Sequence, residues 1–131
     1  MIALDTNVLV RYITQDDPRQ TAAANVLIAR ECSVAEPGFV GLIALCELLW
    51  VLEDCYGYER AELSAVVARL LAAGDVMLEQ EDLVGEALHK HEHGRADFAD
   101  YLLGLTNARN GAAPTYTFDK EAGKDPLFRS L

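Results

Sequence analysis

Four carboxylates, Asp5, Glu47, Asp100 and Asp119, stand where they could work together. Asp5 ends a short apolar run, residues 2–4, of the kind that forms a buried parallel strand. Asp119 follows residues 114–118, PTYTF, a β-branched and aromatic segment whose proline is tolerated at a strand start. In an open parallel sheet the functional crevice lies beyond the carboxyl ends of the strands. Both aspartates are therefore expected on that edge. Asp100 lies in a helical segment, residues 97–110, where Phe98, Leu102 and Leu105 share one face and Asp97, Asp100, Gly104 and Asn107 share the other. Taken alone, that second stripe is the solvent side of a surface helix.

Glu47 is the anomaly among the four. It interrupts FVGLIALCELLWVL, residues 39–52, and its neighbours three and four positions away are Ala44, Ile43, Trp50 and Val51. A helix apolar all round is a buried helix. A lone buried carboxylate is costly enough that it neutralises, pairs with a cation or binds a metal; the plain alternatives are a glutamate paired with one buried arginine or one that escapes to water at the helix surface. Four acids meeting at one sheet edge would repel one another unless a cation were supplied. Hard oxygen donors without histidine or thiolate suit Mg²⁺ or Mn²⁺ rather than Zn²⁺.

The elements that must position these groups alternate. Strands are expected at residues 2–4, 33–35, 76–78 and 114–118. Helices are expected at 8–13, 17–31, 40–55, 82–93 and 97–110, with a further amphipathic one marked by Leu63, Val66, Val67, Leu70 and Leu71. Asp17 and Pro18 are a helix start; Gly57, Gly74, Gly94 and Gly111 are four stops. Such alternation implies an α/β domain with a parallel sheet of four to five strands and helices on both faces.

The chain has 131 residues, the size of one domain, so residues 1–131 are expected to form a single unit. Its net charge of −10 leaves no basic footprint of the kind a free-standing nucleic-acid binder carries. Cys32, Cys46 and Cys55 never take a C-x-x-C spacing and are expected to be reduced packing residues of a cytoplasmic protein. The N-terminus lacks a basic region, and the apolar run around Glu47 is too short to span a membrane.

With these residues in place, the sequence resembles the PIN domains, and within them the VapC-like ribonuclease toxins of bacterial toxin–antitoxin pairs. The resemblance rests on LDTNVLVRY at residues 4–12, ALCELLWVLEDCYGY at 44–58, ADFADYLLGL at 96–105 and TYTFDKEAG at 115–123. It implies a three-layer α/β/α fold and a Mg²⁺- or Mn²⁺-dependent endoribonuclease. The family's acids match Asp5, Glu47, Asp100 and Asp119 as catalytic and metal-holding groups. Asp97, nearly one turn before Asp100, would assist, and Thr6, Asn7 and Thr117 would orient the strand-end aspartates or a water. The resemblance further implies an RNA substrate, a homodimer, and a cognate antitoxin that places a basic residue in the acidic cluster.

Other residues carry less. His89, His91 and His93 are expected at a solvated helix end rather than on a metal. Arg11, Arg95 and Arg109 are candidates for RNA phosphate, against ordinary solvation. Trp50, Tyr56 and Tyr58 are core packing or part of a surface for a partner. A phosphatase using Asp5 as nucleophile would want a second acid two residues on, where Asn7 stands. A non-catalytic PIN-fold binding module is the alternative from a different class.

Overall fold

The computed structural model describes residues 1–131, which divide into two compact units, Met1–Glu81 and Asp82–Leu131. Helix makes up 60% of the chain, so the strands are minor elements.

In the first unit Asp5 caps helix α1, Thr6–Thr14, its Oδ1 accepting from the Thr6 N–H at 2.7 Å. That cap explains why the helix starts two residues before its apolar periodicity does. Helix α2, Pro18–Glu31, starts as expected, with Asp17 accepting from the Gln20 N–H at 3.0 Å and proline in the first turn. Strand β1, Gly38–Val40, pairs in parallel with β2, Val76–Leu78, Phe39 opposite Met77. Residues 2–4 join β1 through a single parallel bridge, Ala3 to Phe39, with Leu4 N–H donating to Phe39 and Phe39 N–H to Ile2.

The expected strand at 33–35 is not formed. Those residues enter a tight turn, Ser33 N–H donating to the Glu36 carbonyl and Glu36 N–H to Ser33 Oγ. The strand lies instead on Gly38–Val40, which the sequence pattern assigns to a turn and a helix start. Close packing decides this: a Cβ on Gly38 would stand 2.7 Å from Cys32 Sγ and 3.0 Å from Leu4 Cδ1, so only glycine lets β1 approach.

Helix α3, Leu42–Tyr56, follows β1 directly and ends at Gly57, which adopts φ +68°. Its first N–H groups have no cap from Gly41; Glu79, at the carboxyl end of β2, accepts from the Leu42 N–H at 2.9 Å. Helix α4, Arg60–Ala72, opens on a Glu59/Glu62 capping box and buries Leu63, Val66, Val67 and Leu70. A polar clasp ties three of these helices. Arg11 on α1 donates to Asp16 at 3.0 Å, to Tyr56 Oη at 2.9 Å and to Gln20 on α2 at 2.6 Å, while Tyr56 Oη, at the end of α3, donates to Asp16 at 2.6 Å. Arg11 and Tyr56 are thereby engaged within the chain.

The second unit holds helix α5, Glu81–His93, helix α6, Phe98–Arg109, and a parallel pair, β3, Thr115–Thr117, with β4, Phe128–Ser130. A short 3-10 helix, Ala122–Lys124, lies in the connection between the strands. The polar face of α6 is not a solvent face. Asn107 Nδ2 donates to Thr115 Oγ1 at 3.0 Å, and Gly104 is buried where a Cβ would meet the Phe128 ring at 2.7 Å. This stripe seats the helix on β3 and β4.

The sheet is accordingly smaller than the expected four to five strands. The strands form two two-stranded parallel sheets, each strand three residues long, with residues 2–4 adding only one bridge. Strand β4 has no counterpart in the expected elements, because FRSL is too short to show alternation. His91 is buried, edge-on to Phe98 at 6.1 Å, so the expected solvated helix end holds only for His89 and His93, whose rings lie 4.3 Å apart. Cys55 is exposed rather than packed, and all three cysteines are free.

Two measurements test this packing. Hydrogen bonds from Tyr56, then Thr14 and Arg11, hold the Asp16 carboxyl down to about 2 from its ordinary 3.8. A depressed carboxylate stabilises the fold above its unfolded pKa and loses that contribution as pH falls through the folded value. The difference in thermal midpoint between wild type and Tyr56→Phe is expected to be constant above pH 5 and to shrink between pH 4 and 2; a pH-independent difference rules the clasp out. Secondly, Gly104→Val is expected to cost about 1–3 kcal/mol in urea unfolding through overpacking. Gly85→Ala, on α5 with nothing within 4 Å of its Cβ, is expected to gain up to about 1 kcal/mol. Equal effects would remove the seat at Phe128.

Candidate active site

In the second unit, three of the candidate acids share one neighbourhood. Asp97 is the N-cap residue of α6, Asp100 lies in its first turn, and Asp119 stands two residues beyond the carboxyl end of β3. Helix and strand are held in register by the Asn107–Thr115 hydrogen bond, so the start of α6 and the end of β3 keep a fixed relation. Burial pushes the Asp100 carboxyl up from its ordinary value, and the charges of Asp119 and Asp97 push it the same way, against a backbone hydrogen bond at Asp97. The expected mutual repulsion is present among these three.

Asp119 is oriented by its own loop. Its N–H donates to Thr117 Oγ1 at 3.0 Å, and its Oδ1 accepts from the Ala122 N–H at 2.8 Å, while the other carboxylate oxygen takes no hydrogen bond. Thr117 therefore contacts the backbone of Asp119 and not its carboxylate. The sequence gives no hint of the Ala122 contact, which depends on the 3-10 turn.

In the first unit, Asp5 occupies the N-cap of α1 at the carboxyl end of residues 2–4, and spends one oxygen on Thr6 N–H. Thr6 Oγ1 is buried without a hydrogen-bond partner, and Asn7 is exposed. Glu47 departs from expectation. It lies in the second turn of α3 on an exposed face, next to Ile43 at 78% and Trp50 at 49% exposure, whereas Leu45, Leu48, Leu49 and Leu52 form the buried face. The all-apolar helix is therefore buried on one side only. Glu47 owes its place in a candidate site to its position near the start of a helix that follows a parallel strand, not to burial. Glu79 is an acid that composition and spacing do not single out; its contact with Leu42 makes it a helix cap.

The ion pairs Arg11–Asp16, Lys90–Asp125, Arg109–Asp82 and Lys124–Glu121 engage other carboxylates. Arg109, a candidate for phosphate, pairs with Asp82. The donor set is carboxylate, hydroxyl and amide oxygen, which fits a hard divalent ion. Asp119, with one unengaged oxygen, and Asp100, whose carboxyl burial pushes up from its ordinary value, are the part of that set the second unit supplies. Within neither unit do three or more His, Cys, Asp or Glu side chains gather as a ready ligand cage.

No helix is long and apolar enough to cross a membrane. Sequence comparison with curated proteins found no match. The family model for the PIN domain, by contrast, matches residues 2–124, a span that takes in Asp5, Glu47, Asp97, Asp100 and Asp119 together with α1 to α6, β1 to β3 and the 3-10 turn that holds Asp119. Nearly the whole chain is covered, and the chain belongs to the PIN domain family, whose fold is that of metal-dependent nucleases.

Proposed function

We propose that this protein is a Mg²⁺- or Mn²⁺-dependent endoribonuclease of the VapC-like kind, the toxin of a toxin–antitoxin pair, with Asp5, Glu47, Asp100 and Asp119 holding the ion. The observation that supports this reading is the setting of Asp100 in the first turn of α6: burial, then the charges of Asp119 and Asp97, push its carboxyl up from its ordinary value, and no positive charge is among the causes that act on it. When bound, the divalent ion would acidify water and offset the charge that builds on the phosphodiester.

The chain's own residues do the positioning. Ala122 N–H holds one carboxylate oxygen of Asp119 and Thr117 its backbone N–H, which leaves the second oxygen for the ion. Asp97 assists from the N-cap of α6, and the dipole of that helix favours negative charge at its start. Thr6 and Asn7 follow Asp5 and would orient it or a water. Water attacks the phosphorus in line, and the products carry 5′-phosphate and 3′-hydroxyl ends. The chain acts as one domain and a homodimer in the cytoplasm. A cognate antitoxin inserts a basic residue among the acids, neutralising them and excluding the ion.

RNA cleavage is expected with Mg²⁺ or Mn²⁺ and to vanish in EDTA. Asp5→Asn, Glu47→Gln, Asp100→Asn and Asp119→Asn are each expected to cost more than about 100-fold in rate, the upper end of what losing an outer-shell partner costs. Cleavage that survives chelation removes the mechanism, and absent Mn²⁺ binding favours the non-catalytic module. The metal-free protein offers a second measurement. Because folded Asp100 holds its proton more tightly than the unfolded chain does, stability falls as pH rises from its ordinary value through its raised one. Asp100→Asn is therefore expected to raise the thermal midpoint at pH 7 without metal, and NMR titration should show Asp119→Asn bringing Asp100 closer to its ordinary value. An Asp100 indifferent to Asp119 would dissolve the cluster.

A further inference from the structure

The acids that cut do not choose an RNA; the surface around them does. Beside Asp119 that surface has an unusual composition. Tyr116 and Phe118 are 56% and 83% exposed, and they alternate with Thr115 and Thr117, which are partly covered. A strand sends successive side chains to opposite faces, so the threonine side meets α6 through Asn107 while the tyrosine side is left open. Arg129 is the register partner of Tyr116 on β4, and its guanidinium carbon lies 5.9 Å from the centre of the tyrosine ring.

The local charge also differs from the rest of the chain. In residues 115–131 three bases, Lys120, Lys124 and Arg129, match three acids, in a protein of net charge −10. Asp125 is engaged by Lys90 and Glu121 by Lys124, whereas neither Lys120 nor Arg129 takes part in any of the chain's salt bridges. One uncommitted cation, Arg129, thus lies by the Tyr116 ring, and a second, the exposed Lys120, follows Phe118 by two residues, at the end of the strand that leads into Asp119.

We infer that Tyr116, Phe118, Arg129 and Lys120 form a docking platform for single-stranded RNA, the rings stacking on unpaired bases and the two bases meeting backbone phosphates. Aromatic rings accept any base because every base has a π face, and basic side chains beside them track the backbone. A duplex keeps its bases stacked inside and offers the rings nothing. The platform rests on the nuclease reading for the choice of RNA and deepens it by assigning the residues that would seat an unpaired stretch next to Asp119. The positive groups argue for a polyanion over an apolar protein partner, which would leave Lys120 and Arg129 unanswered.

The test is anisotropy of a fluorescent 12-nucleotide single-stranded RNA with the full chain in EDTA, where metal-dependent cleavage cannot occur. Tyr116→Ala and Phe118→Ala are each expected to weaken binding about tenfold or more, Phe118→Trp to preserve it, and Arg129→Gln with Lys120→Gln to weaken it and flatten its salt dependence. A blunt RNA duplex should compete poorly. These side chains are exposed, so folding is checked by an unchanged thermal midpoint. Undiminished binding by the Tyr116→Ala, Phe118→Ala double variant overturns the platform, as does loss of self-association or of protein binding in those variants with RNA affinity intact. Single-strand binding that depends on the rings, without cleavage in Mn²⁺, would instead overturn the nuclease reading and leave the platform standing.

Discussion

Repulsion between carboxylates that the fold will not let separate is the constraint around which the second unit is built. Asp97 and Asp100 are fixed at the start of α6, Asp119 at the end of β3, and the two elements are locked by Asn107 against Thr115 and by Gly104 against Phe128. Asp119 is itself exposed to water, and Ala122 N–H holds one of its oxygens in place while its charge acts on the partly buried Asp100.

Three parallel segments, residues 2–4, β1 and β2, deliver their carboxyl ends to one edge, and each is followed at once by an acid or a helix start. Asp5 caps α1, Glu79 caps α3, and Glu47 sits one turn further along α3. Two of these acids serve the backbone directly. Glu47 takes no structural duty, and an exposed carboxylate flanked by Ile43 and Trp50 is a poor choice for solubility when the next turn offers Glu53 and Asp54.

Much of this was legible in the residues, for identifiable reasons. Helix starts are readable from Asp17–Pro18, and helix ends from Gly57 and Gly111, because caps and left-handed stops are local chemistry. β2 and β3 were readable because short apolar or β-branched runs stood between clear helices. β1 was not, since GFV merges without a break into the apolar start of α3 and its glycine answers to Cys32 and Leu4, contacts distant in sequence. The burial of Glu47 was misjudged for a related reason. Hydropathy reports what a side chain prefers, and Ile43 and Trp50 are exposed against that preference. The acid at 119 was found, but not the hydrogen bond that aims it, which needs a 3-10 turn that leaves no periodic signal in three residues.

One strand explains why chemistry and recognition lie side by side in the proposed enzyme. The pleat of β3 must place Thr115 and Thr117 on the face opposite Tyr116, so a strand that turns its threonines inward, to hold α6 and Asp119, necessarily turns its aromatic residue outward. Packing those rings inward would require a one-residue slip, and that slip would carry the threonines out, release Asn107 and unhook the loop that fixes Asp119. Register therefore couples the two faces. Whatever meets Tyr116 and Phe118 is presented within a few residues of the carboxylate, and no change of loop length is needed to bring it there.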